Sequence, residues 1–62
     1  MQKRVTVKFL EETEGAFRYR EVNSAGRHIH GDSEGATIGD VYLRKMAMGD
    51  RRPEQIVITL EY

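Results

Sequence analysis

The chain has 62 residues, ten basic and ten acidic side chains, a formal net charge of zero and no cysteine. That length allows a single domain, 1–62, with a small core: a chain of this size buries only about 60% of the surface its unfolded form exposes, and without cysteine neither a disulfide nor a thiolate metal site can reinforce it. Zero net charge gives no general attraction to nucleic acid or anionic lipid, no apolar run reaches membrane-spanning length, and Met1 to Lys8 carries basic residues without the apolar stretch of a signal peptide, so a cytoplasmic protein with no membrane partner is expected.

In chain order, Val5, Val7 and Phe9 alternate with Thr6 and Lys8, the period of a half-buried strand. Leu10 breaks the alternation, and Glu11-Glu12-Thr13-Glu14-Gly15 reads as a hairpin turn in which Gly15 supplies a positive φ. A second strand, Ala16 to Val22, places Phe17 and Tyr19 on one face and Arg18 and Arg20 on the other. The hairpin brings Phe9 and Phe17 within packing distance.

From Asn23 to Thr37 the pattern dissolves. Asn23-Ser24-Ala25-Gly26 and Gly31-Asp32-Ser33-Glu34-Gly35 have turn composition, and Arg27-His28-Ile29-His30 between them reads as a short edge strand or part of a mobile loop. Ile38 to Lys45 is predicted as the third strand, with Met46-Ala47-Met48 forming a single turn. A short helix over Val41 to Met48 is the alternative. Gly49-Asp50-Arg51-Arg52-Pro53 interrupts the chain. Gln55 to Tyr62 is the clearest strand: Ile56, Ile58, Leu60 and Tyr62 face one way, Val57, Thr59 and Glu61 the other.

The fold class that follows is all-β and mainly antiparallel: a four-stranded meander that curls into a small barrel or packs as a dimeric sheet. A lone sheet without helices cannot bury its own apolar face, and its exposed edges invite pairing with another chain. Self-association, with a homodimer as the simplest form, is therefore expected on physical grounds.

The segment Ile38-Gly39-Asp40-Val41-Tyr42-Leu43-Arg44-Lys45, followed by Met46-Ala47-Met48-Gly49, Pro53 and Ile56-Val57-Ile58-Thr59-Leu60, resembles the C-terminal half of small uncharacterised bacterial β-rich proteins. Those pair an Ile-Gly-x-x-Tyr-apolar-x-Lys strand with a closing strand of the apolar-x-Val-Thr-apolar type. Val5-Thr6-Val7-Lys8-Phe9 and Phe17-Arg18-Tyr19 are similar as well. The resemblance spans most of the chain outside Asn23 to Thr37 and implies a β domain. It implies no activity.

Three constellations bear on function. Arg18, Arg20, Arg44, Lys45, Arg51 and Arg52 could hold the phosphates of a nucleic acid, but a solvated charged face is the plainer account, since the net charge gives no electrostatic excess and Tyr19 points away from Arg18 and Arg20. His28, His30 and Asp32 alternate in a way that could direct two imidazoles and a carboxylate at a divalent metal, with Glu34 as the obvious local fourth ligand; a polar loop containing two histidines is the plainer account. Met46, Met48 and Tyr42 could form a soft contact surface or cap the open end of the sheet. Ser24 and Ser33 lie near histidines, yet a domain this small has little room for a substrate pocket, so no enzyme and no cofactor is expected. The function that results is a non-enzymatic binding or interaction module that acts as a homo-oligomer, with nucleic-acid binding or metal binding as alternatives.

Overall fold

The structure is a computed structural model and describes residues 1–29, 35–49 and 51–62. Four strands, β1 (Gln2–Glu12), β2 (Ala16–Glu21), β3 (Asp40–Arg44) and β4 (Gln55–Glu61), form one sheet in the order β3-β2-β1-β4. Every neighbouring pair is antiparallel, and the sheet curls into a half-barrel. The all-β, four-stranded, antiparallel expectation is met. The first three strands follow one another as a meander, and β4 returns to the far side of β1. One-turn helix α1 (Lys45–Met48) starts where the sequence placed the end of the third strand. It ends at Gly49, whose φ of 60° lies in the left-handed region and lets the chain turn back across the sheet.

Alternation decides the two faces. The register sets Phe9 beside Tyr19, Val7 beside Ile56 and Val5 beside Ile58, and Phe17 beside Leu43. These residues share one concave, apolar face. Val5, Val7, Phe17 and Tyr19 are buried at its centre, with Phe9, Ile38, Leu43, Met48, Ile56, Ile58 and Leu60 only partly buried around them. Phe9 sits edge-on to both Phe17, at 6.4 Å between ring centroids, and Tyr19, at 5.9 Å, the geometry in which ring edges meet ring faces.

Two local details differ from the sequence expectation. The β1–β2 register shifts between Phe9 and Glu11, which makes Leu10 the extra residue of a bulge; this is why Leu10 breaks the alternation. Gly15 does not adopt a positive φ, unlike Gly26, Gly35, Gly39 and Gly49. The turn is tied by Thr13 instead, whose backbone N–H donates to the Ala16 carbonyl at 2.8 Å while its hydroxyl accepts from the Ala16 N–H at 3.1 Å.

The connection from α1 to β4 closes one end of the concave face. The buried Tyr19 hydroxyl donates to the Pro53 carbonyl at 2.7 Å, and the Phe9 N–H donates to the Glu54 carbonyl at 3.0 Å. Burial pushes the Tyr19 hydroxyl above its ordinary pKa. At the other end stands Glu21, a buried carboxylate on the same face. Its Oε1 accepts the backbone N–H groups of Thr37, Ile38 and Gly39 at 2.8, 2.7 and 3.1 Å. Desolvation raises its pKa, but the three N–H donors outweigh that, so the group titrates below the usual carboxylate range. Glu21 thus fixes the chain entering β3.

Candidate functional site

Strand β2 presents Arg18 and Arg20 to the convex, polar face, as alternation predicts. The register brings Asp40 opposite Arg20 and Tyr42 opposite Arg18 from β3, and Glu11 opposite Arg18 from β1. Arg20 donates through Nε to Asp40 Oδ1 at 2.8 Å and through Nη2 to Asp40 Oδ2 at 3.2 Å. Arg18 donates through Nε to Asp40 Oδ2 at 2.9 Å and through Nη1 to Glu11 Oε1 at 2.6 Å, and its Nη2 also reaches Asp40. The Arg18 guanidinium lies 5.8 Å from the centroid of the Tyr42 ring. Hydrogen bonds from Arg20 and then Arg18 hold the Asp40 carboxyl well below the ordinary aspartate range. Bonds to Glu11 and then Asp40 raise Arg18, and the bond to Asp40 raises Arg20.

The network uses two carboxylates to satisfy two guanidinium groups. Its chemical effect is to fasten β3 to β2 and β1. Five of their ten N–H donors are engaged and the two positive charges are balanced by two carboxylates, which weakens their pull on an incoming phosphate.

The other basic residues in the phosphate-binding set lie elsewhere. Arg44 is on the polar face and exposed, and Arg51 is exposed in the connection to β4; neither makes an ion pair with a described residue. Lys45 and Arg52 lie against rings of the apolar face. Lys45 Nζ is 5.5 Å from the Phe17 centroid and donates to Glu12 Oε2 at 2.7 Å. The Arg52 guanidinium is 4.1 Å from the Phe9 centroid and donates to Glu54 at 3.1 Å. Five of the six cations are therefore divided between two faces, and Arg51 stands in the connection between α1 and β4. Arg4 and Lys8 join Arg18 and Arg20 on the polar face, since Arg4 pairs with Thr59 and Lys8 with Arg20. The sequence signal for them was their alternation with Val5 and Val7.

In the metal constellation, His30 and Asp32, together with Glu34, lie outside the described residues. His28 is exposed and forms an isolated antiparallel bridge with Val22. Asn23 organises this stretch by accepting the N–H groups of Ala25 and Arg27 on its side-chain oxygen, and the Ile29 N–H donates to the Glu21 carbonyl. Among the described residues no group of three or more His, Asp or Glu side chains is placed to hold a metal ion. Of the soft set, Met46 is almost fully exposed, Tyr42 is exposed, and Met48 packs against the core.

The remaining surface of functional interest is the outer side of β4 and the open strip beside it. The bonds Phe9 N–H to Glu54 and Tyr62 N–H to Met1 fix the phase of the β1–β4 ladder. Antiparallel strands exchange backbone bonds at every second residue pair, so Ile56, Ile58 and Leu60 bond to β1, and Gln55, Val57, Thr59 and Glu61 direct their N–H and C=O groups outward. Beside that edge, Ile56, Ile58 and Leu60 are half-buried on the concave side, and Val57 is 53% exposed on the convex side. A shallow open hollow lined by Met1, Gln2, Glu61 and Tyr62 lies at the end of the same edge. Comparison with protein-family models, curated proteins and solved structures gave no match. Fold and surface together describe a four-stranded antiparallel half-barrel with one open apolar face. Among the described residues no helix is long and apolar enough to cross a membrane.

Proposed function

We propose that the protein is a non-enzymatic interaction module that acts as a homo-oligomer, assembling through its sheet. The observation that carries this reading is the incomplete cover of the concave face: Ile38, Leu43, Ile56, Ile58 and Leu60 pack against the buried core yet stay partly exposed. Burying such side chains gains roughly 25 cal/mol per Å² of apolar area, and a 62-residue chain with no cysteine to form a disulfide has much to gain from it. The cysteine-free composition suits a reducing compartment, and we assign the protein to the cytoplasm on that ground.

Nucleic acid as the partner draws less support. The charges of Arg18 and Arg20 are balanced by Asp40 and Glu11, and Lys45 and Arg52 cover aromatic rings on the opposite face. Sedimentation equilibrium from one to several hundred micromolar tests the main reading. A concentration-dependent rise in mass is the expected result. A folded monomer throughout that range would reject it.

A further inference from the structure

We infer that two copies of this chain join by antiparallel pairing of their β4 strands about a two-fold axis at Ile58, making one continuous eight-stranded sheet. This rests on the self-association reading above and specifies the surface and register that it uses.

Edge strands normally carry lysine, proline, a bulge or short length to discourage pairing with other chains. The seven residues Gln55–Glu61 contain one charge, Glu61, and no proline, and their pairing with β1 runs without a register shift. Among the described residues nothing pairs with the outer side of this strand. Four residues, Gln55, Val57, Thr59 and Glu61, therefore present unpaired backbone groups in a row.

The strand is also complementary to itself in one register. With the axis at Ile58, Val57 faces the partner's Thr59 and Gln55 faces the partner's Glu61, so all four outward residues of each strand fall in hydrogen-bonded pairs. The single carboxylate meets a neutral amide and no like charge. On the concave side Ile56 faces the partner's Leu60, and Ile58 faces its own symmetry mate, so the half-buried apolar strips of the two copies merge. Moving the axis to Val57 would set Glu61 against the partner's Pro53, which has no N–H to give. Moving it to Thr59 would set Glu61 against the partner's Val57, whose side chain has no donor to offer the carboxylate.

Two sets of variants test the proposal. Val57→Pro removes an outward N–H while leaving the β1 ladder intact, a position at which edge strands accept proline. Its dissociation constant by sedimentation should rise by roughly tenfold or more. The register is read by cross-linking, since the chain contains no cysteine of its own. Ile58→Cys should form a disulfide-linked dimer under mild oxidation, because residues facing each other at a non-hydrogen-bonded position lie about 4.5 Å apart at Cα, within disulfide reach. Should Ile58→Cys fail to fold, exposed positions serve: Val57→Cys and Thr59→Cys should each cross-link poorly alone and efficiently when mixed. A Val57→Pro protein that dimerises as tightly as the parent, or equal cross-linking of Val57→Cys alone and in the mixture, would overturn this pairing and leave self-association standing. A parent protein that is monomeric at every concentration would overturn both.

Discussion

The two edges of the sheet are built on opposite principles. Strand β3 has five residues, begins at Asp40, ends at Arg44 and runs directly into α1. Its first carboxylate is engaged by Arg18 and Arg20, and the chain entering it is held by Glu21. Strand β4 is longer, nearly uncharged and, among the described residues, held only along its inner side by β1. Short length and charge are the usual means by which a sheet avoids joining another. Here they are concentrated on one edge. The unguarded edge fits the pairing proposed for β4, while the polar network, despite its dense charge, fastens β3 to its neighbours.

Releasing the Glu21 clamp on the chain entering β3 should have the largest effect. Glu21→Ala would leave three backbone N–H groups without their acceptor, that of Gly39 in a buried setting, at a cost of about 3 kcal/mol. Glu21→Gln, which keeps an acceptor oxygen, should cost about half as much. Chemical denaturation measures both, and a loss under ~1 kcal/mol for Glu21→Ala would show that the clamp adds little. The folded-state pKa of Glu21 lies below its ordinary value, so its contribution is complete above the unfolded pKa and disappears as the pH falls through the folded one. Acid should therefore reduce the parent's advantage over Glu21→Gln.

Asp40→Asn comes next. It removes the charge that Arg18 and Arg20 share and should lower the melting midpoint by roughly 5 °C in a domain this small. The Asp40 pKa is depressed as well. Its contribution is thus present above the unfolded aspartate value and lost only as the pH falls well below that range. Melting curves of parent and variant should converge in strong acid; a constant gap at every pH would mean that the substitution acts through packing.

The apolar face was legible in the sequence because its signal is local. Val5, Val7 and Phe9, Phe17 and Tyr19, and Ile56, Ile58 and Leu60 each declare a face by alternation, and the structure places them together. The same alternation placed Glu21 on that face beside Phe17 and Tyr19, a signal that could have marked it as a buried carboxylate needing donors. Two features were not legible. The partner of β4 depends on contacts across most of the chain, and nothing in the pattern of Ile56 to Leu60 favours β1 over β3. The pairing of Arg18 and Arg20 with Asp40 spans some twenty residues, so these arginines resembled free cations. The missed turn geometry at Gly15 has a nearer cause: Thr13 supplies through its side chain what a left-handed glycine would have supplied through its backbone.

The smallest effect on folding should be the sharpest test of the edge comparison. Val57→Lys gives β4 the kind of charge that β3 already has. Val57 is exposed and touches β1 through Thr6 across the ladder, so the change should alter monomer stability by less than ~0.5 kcal/mol. Association is another matter: two added lysines would lie close together on the convex side of a two-fold pair, and the dissociation constant should rise by about tenfold. Tyr42→Thr makes the converse change, removing an exposed ring from the β3 edge while keeping a strand-forming residue. It should leave association unaltered. Sedimentation of the two variants side by side reads the difference directly. If Tyr42→Thr weakened the oligomer and Val57→Lys did not, the roles of the two edges would be reversed, and the ion network around Asp40 would border the interface.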